Sequence, residues 1–255
     1  MISEKRAFEE ESFKKRLDIL YELYNDKKYI QYDPIRYVHE FENDVEREVV
    51  GLISSSLSFG RVKQILKAID YLLTIMGRKP LHYTMDIKRV PDSRLLSFKY
   101  RFVSGADIHR FLSITRELIE RYGSVGSFVN EIYKGDLLGL VDAFTRLYHG
   151  VGYMIPSSVR GSACKRLFMY FRWMVRKDNI DLGLWNFISP EDLIIPLDTH
   201  VFRTAKSLGL TSKKTPSLKA AMEITENLRK LCKDDPVKYD WPLSHIWIIK
   251  NNYDV

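Results

Sequence analysis

The chain is poor in cysteine. It has two in 255 residues, Cys164 and Cys232, far apart and in no CxxC pair. Two thiols cannot build a four-cysteine zinc or iron–sulfur site. A disulfide framework is not expected, and a reducing cytoplasm is the default compartment. Long apolar runs are also missing. None approaches the roughly 20 residues needed to span a bilayer. The first residues, MISEKRAFEEESFKKRL, carry too many charges for a secretory signal. Membrane insertion is therefore not expected. The six histidines form no HExxH, HxH or HD pair, which argues against a catalytic metal. No GxxxxGK[ST] loop occurs, so nucleotide hydrolysis is not expected. Neither a metal nor another cofactor is foreseen. Internal repeats, low-complexity tracts and flexible linkers are lacking, and clean period-two alternation is scarce.

What is present is helix. Residues 3–24 place Phe13, Leu17, Leu20 and Leu23 at spacings of three and four between charges. The pattern continues over 44–76, interrupted by the weak helix formers Ser54 to Gly60, where a turn is expected. Residues 107–121, 137–149, 163–177, 199–208 and 217–231 are also helix-like, with short starts at Ser93 and Pro190. The chain reads as all-α, compact, with about ten helices. It carries a net charge of +7, which favours an anionic partner such as nucleic acid.

Three stretches carry chemistry. The first is IIPLDTHVFRTAKSLGL, from Ile194 to Leu210. Asp198 follows Pro196 and precedes a helical pattern that bears Arg203 and Lys206. An aspartate there caps the helix, and its charge suits that end of the dipole. The second is Gly161-Ser162-Ala163-Cys164-Lys165, ahead of RLFMYFRWMVR. Gly161 and Ser162 read as a turn and an N-cap, placing Lys165 in the first helical turn. A lysine is unusual there, because cations prefer the other helix end, and a desolvated amine in such a place can be nucleophilic. The ordinary alternative is a solvated lysine. Along the helix that follows, Arg166, Tyr170, Arg172, Trp173, Arg176 and Lys177 could offer phosphates and bases a surface, but a core helix with a solvated cationic side is the preferred reading. The third is Ser54 to Lys63, where Phe59 and Arg61 fall near an interhelical tip. A side chain there could wedge into a duplex or tuck inward. The Gly150-Val151-Gly152 segment reads as a decoy.

Together these pieces resemble the helix-hairpin-helix DNA glycosylase superfamily, which contains endonuclease III and the 8-oxoguanine glycosylases. Pro196-Leu197-Asp198-Thr199-His200-Val201-Phe202-Arg203 is similar to the V-D-T-H-V-x-R motif that holds the catalytic aspartate. Gly161-Ser162-Ala163-Cys164-Lys165 is similar to the hairpin G-x-G-x-K, with Ala163 in place of the second glycine. Gly51 to Leu57 resembles the helix leading into the base-displacing loop, here Ser58 to Arg61 without its usual glutamine or asparagine. The 33 positions from Lys165 to Asp198 look more like the archaeal 8-oxoguanine branch than the endonuclease III branch. The pattern also looks like a bacterial and archaeal family whose domain has no assigned function.

The resemblance implies two helical lobes with a cleft between them, 44–150 as the central lobe and 1–43 with 151–255 as the second. It implies a monomer that binds DNA, most naturally a duplex with a damaged base, and excises that base; the iron–sulfur cysteines that follow the last helix in the superfamily are absent, as the cysteine count requires. The first substrate expectation is 8-oxoguanine. Lys165 becomes the nucleophile, with Lys177 its rival, and Asp198 the catalytic carboxylate. Phe59, Arg61, Lys63, Arg160, Gly161, Ser162, His200, Arg203 and Lys206 become nucleic-acid contacts. Trp173, Trp241 and Trp247 become candidate walls for the extruded base, with a place in the core the preferred reading of each. Strand cleavage by β-elimination could follow base release. Two other readings stand beside it: a nucleic-acid-binding protein that keeps the fold without the chemistry, and a helical scaffold that binds protein.

Overall fold

The computed structural model describes residues 2–87, 90, 92–157 and 161–244. Among them run eleven α-helices. They are α1 (Ile2–Tyr24), α2 (Asp44–Leu57), α3 (Val62–Ile75), α4 (Pro80–Met85), α5 (Ser93–Leu96), α6 (Gly105–Tyr122), α7 (Val125–Ile132), α8 (Leu137–Leu147), α9 (Lys165–Val175), α10 (Thr199–Ser207) and α11 (Leu218–Leu231). Short 3-10 turns join them, and one two-stranded hairpin, β1 (Lys99–Tyr100) with β2 (Val103–Ser104), stands between α5 and α6. The protein is all-α apart from that hairpin. No helix of the described residues is long and apolar enough to cross a membrane.

The helix ends are set by local chemistry. Asn43 accepts from Glu46 N at the start of α2, and Ser104 and Asp107 form a reciprocal capping box at α6. Two expectations need correction here. Ser54, Ser55 and Ser56 do not break the helix; they stay helical and buried in α2, and the turn is confined to 58–61. Tertiary burial overrides their weak intrinsic propensity. Helix α7 carries no charged first turn, and its eight residues were too short to register as a periodic run.

Helix α9 is the centre of the molecule. Leu167, Phe168, Phe171, Trp173 and Met174 are all essentially sealed from solvent. Helix α2 packs directly on it. Gly51 makes that approach possible, since a Cβ there would lie 2.8 Å from Met174 Cε and 3.1 Å from the Tyr170 ring. Tyr170 Oη donates to Glu48 O at 3.1 Å across the same contact. The rings of Phe144, Tyr170, Phe171 and Trp185 pack edge to face or tilted around it, and Tyr148 stacks on Phe144.

The cationic side of α9 is not a surface. Arg172 and Arg176 are buried and paired: Arg172 with Asp181 and Asp240, Arg176 with Asp178, Asp181 and Asp235. These pairs tie the end of α9 to the following loop and to the segment 235–240. Removing one partner from such a network would strand a buried charge.

Candidate active site

Three loops converge at the start of α9. One is the α2–α3 turn, 58–61. The second is formed by residues 153–157 and 161–164, and the third is 193–198, which leads into α10. They enclose a cleft of about 260 Å³ lined by Ser58, Phe59, Tyr153, Lys165, Arg166 and Asp198, among others. A larger hollow, about 580 Å³, lies along α1, but its walls come from one helix face and gather no convergent groups from elsewhere.

Asp198 caps α10. Its backbone is extended, and Oδ1 accepts from His200 N at 2.8 Å and Val201 N at 2.9 Å. The preceding Pro196 and Leu197 are buried, which anchors the carboxylate from behind. Its other oxygen faces Lys165: Nζ and Oδ2 are 3.3 Å apart, with the two side chains 32% and 28% exposed. Burial pushes the Asp198 carboxyl up. The Lys165 ammonium, the Val201 N–H and His200 push it down and prevail, so it is held below the usual carboxylate range. The cap and the ion pair thus use different oxygens of one side chain.

Lys165 is the first residue of α9. The residue before it, Cys164, takes the left-handed conformation (φ 48°) and makes no side-chain cap. This corrects the expectation for Ser162. Its Oγ accepts from Cys164 N at 3.2 Å, closing a tight turn instead of capping the helix. Gly161 supports that turn with φ +73°. The Cys164 thiol is buried, and burial pushes it up to about 11, which leaves it protonated and unreactive at neutral pH.

The other expected contacts distribute unevenly. Arg61, Lys63, Arg203 and Lys206 are exposed, the last with its ammonium 5.8 Å from the Phe202 ring. Phe59 is not a free tip. It is half-buried, with its ring 5.2 Å from Tyr100 and 5.0 Å from Tyr153, and its carbonyl accepts from Tyr100 Oη. The exposed aromatic beside it is Phe102, 67% exposed at the hairpin tip, next to Tyr153. Trp173 cannot wall the cleft, because it is fully buried in the core. Trp241 is buried against the Arg172 guanidinium and is not among the cleft residues. Arg160 and Trp247 lie outside the described residues. Lys177 sits past the end of α9, exposed, bridged to Leu182 and away from the cleft.

Tyr153 was not foreseen, and Arg166, expected on the cationic side of a core helix, lines the cleft. Tyr153 follows the Gly150 and Gly152 turns, both with positive φ, and projects half-exposed at the rim. Arg166 is 9% exposed, with its guanidinium near the rings of Phe59 (5.0 Å) and Tyr153 (4.8 Å). A sequence signal existed for Arg166: it falls four and seven positions before Tyr170 and Trp173, on a face otherwise aromatic. No three His, Cys, Asp or Glu side chains gather to hold a metal ion among the described residues.

The chain matches the model of the family described as Protein of unknown function (DUF2400) over residues 33–249, and it belongs to that family. No curated protein and no solved structure matches it. The family match corrects the expected placement in the helix-hairpin-helix glycosylase superfamily, which the chain does not match. Both matching blocks are helix starts, one capped by Asp198 and one entered through the turn at Gly161.

Proposed function

We propose that the protein is a DNA base-excision glycosylase with lyase activity, and that Lys165 and Asp198 carry its chemistry. One observation supports this above the rest: Lys165 Nζ lies 3.3 Å from Asp198 Oδ2 in an open cleft. An amine and an ionised carboxylate so close can serve one sugar carbon. The cleft is a little smaller than pockets for drug-sized ligands, roughly 300–1,000 Å³, and suits one extruded nucleoside. In this reading the lobes 44–150 and 1–43 with 151–255 face each other across it, since Ser58 and Phe59 come from the first and the remaining walls from the second.

A base stacked in a duplex is out of reach, so the nucleotide must first swing out, at a cost of a few kcal/mol. Phe102 is the aromatic exposed to fill the gap, in place of Phe59. Lys165 attacks C1′ once its ammonium has passed a proton to water, which leaves Asp198 ionised. The bond from C1′ to the base nitrogen breaks, and the base leaves with a proton. Opening of the sugar ring then gives a Schiff base between Nζ and C1′. Loss of a 2′ proton and of the 3′ phosphate cleaves the strand. Positive charge builds on the sugar during base departure, and a fixed carboxylate beside it lowers that barrier.

The test is base release and strand cleavage on duplexes carrying 8-oxoguanine, uracil or an abasic site, for the wild type and Lys165→Ala. Product on any duplex, lost in Lys165→Ala, supports the reading. Salt-sensitive DNA binding without product on any of them favours a binding protein in which the pair is only an ion pair. No binding at all favours a protein scaffold.

A further inference from the structure

We propose that Arg166 is the phosphate-binding group of the cleft, taking one backbone phosphate beside the extruded nucleotide; this rests on the reading above. The protein neutralises its other deeply buried arginines with carboxylates, two for Arg172 and three for Arg176. Arg166 is nearly as buried, yet it has no carboxylate within ion-pair reach among the described residues. Its Nη1 instead donates to backbone carbonyls: Ser56 O at 3.0 Å, Met154 O at 2.9 Å and Tyr153 O. Those bonds and the two flanking rings fix the guanidinium plane.

Nε and Nη2 find no acceptor among the described residues, and neither is sealed from solvent, while the side chain lines the cleft. That edge of a guanidinium holds two parallel N–H groups, the geometry that grips two oxygens of a phosphate. Burial pulls the guanidinium down to about 10, against a smaller upward pull from Tyr153 and Cys164, so an anion at that edge would relieve a standing cost. A second feature converges. Helix α9 begins at Lys165 without a side-chain cap, so its first N–H groups and the positive end of its dipole also favour an anion. The ionised carboxylate nearby, Asp198, is already engaged by Lys165 and two backbone amides.

The experiment is fluorescence anisotropy on a duplex with one tetrahydrofuran abasic analogue. Single methylphosphonates replace, one at a time, each phosphate within three nucleotides of that site on both strands. For the wild type, one position should weaken binding by about tenfold or more, as loss of a charge-assisted pair implies. Arg166→Lys keeps the charge but loses the fork. It should bind the unmodified duplex correspondingly more weakly and lose little further at that one position. A flat scan in the wild type, with no position beyond about twofold, overturns the proposal without needing any variant. So does an Arg166→Lys protein that is folded by circular dichroism and suffers the same added loss at the sensitive position as the wild type. A trapped or cleaved product with a flat scan would sink this inference and leave the glycosylase reading standing. A sensitive position without any product would do the reverse.

Discussion

Asp198 is asked to do two things, and Asp198→Asn separates them. Oδ1 caps α10 and Oδ2 meets Lys165. Asparagine keeps an oxygen that can accept from His200 N and Val201 N, and Asn and Asp cap about equally well. What it removes is the charge. The ion pair is about a third exposed, so its loss costs at most about 1 kcal/mol. For a chain of this size that is a fall of roughly 2–4 °C in melting temperature. Asp198→Ala loses the cap as well, a further cost of about 1 kcal/mol, and should melt roughly 4–8 °C below the wild type. Base release behaves differently. A fixed charge aimed at the transition state contributes about 10²–10³ in rate, so both variants should lose that factor despite their different stabilities. The assay is single-turnover base release beside a thermal melt. If Asp198→Asn keeps the wild-type rate within a few-fold, the carboxylate does not act on the sugar. If the two variants melt alike, the cap is not what anchors this side chain.

Other outcomes follow from the same geometry. The Asp198 carboxyl is held below its ordinary value, so its stabilising charge is complete above about pH 4 and is lost as pH falls through the lower folded value; a pH–rate profile should accordingly place any acid limb owed to it below about pH 4. Gly126→Ala would put a Cβ 2.3 Å from Glu48 Oε1 and 2.5 Å from Trp185 Nε1, disturbing a buried hydrogen bond, and urea unfolding should register a loss of about 2–3 kcal/mol. Iodoacetamide at pH 8 should label Cys232 well before Cys164, which is 1% exposed with its thiol pushed up by burial; peptide mass mapping reads the order. Phe102→Ala leaves the core untouched because the ring is 67% exposed, so the melt should hold while duplex affinity drops several-fold.

Periodicity made most long helices legible, because their apolar stripes repeat at three and four residues and their ends carry capping residues. The start of α10 at Asp198 is the clearest instance, where the residue type alone announces the cap. Short elements escaped for lack of length: α7 has eight residues, and the β1–β2 hairpin offers two residues a side. The cationic face of α9 misled for another reason. Arg172 and Arg176 find their carboxylates up to 68 and 59 positions away, at Asp240 and Asp235, and such pairing leaves no local mark. Tyr153 and Arg166 depend on the same long-range convergence. A left-handed Cys164 likewise cannot be anticipated, since only the loop's packing imposes it.

The central claim is that the Lys165 amine becomes covalently bound to a sugar carbon. Incubating the wild type, Lys165→Ala and Lys177→Ala with lesion-bearing and abasic duplexes in borohydride, then mapping the adduct by peptide mass spectrometry, tests it directly. The account predicts a trapped adduct on the peptide that begins α9, lost in Lys165→Ala and retained in Lys177→Ala. An adduct that survives Lys165→Ala, or none on any duplex that the protein demonstrably binds, would contradict it.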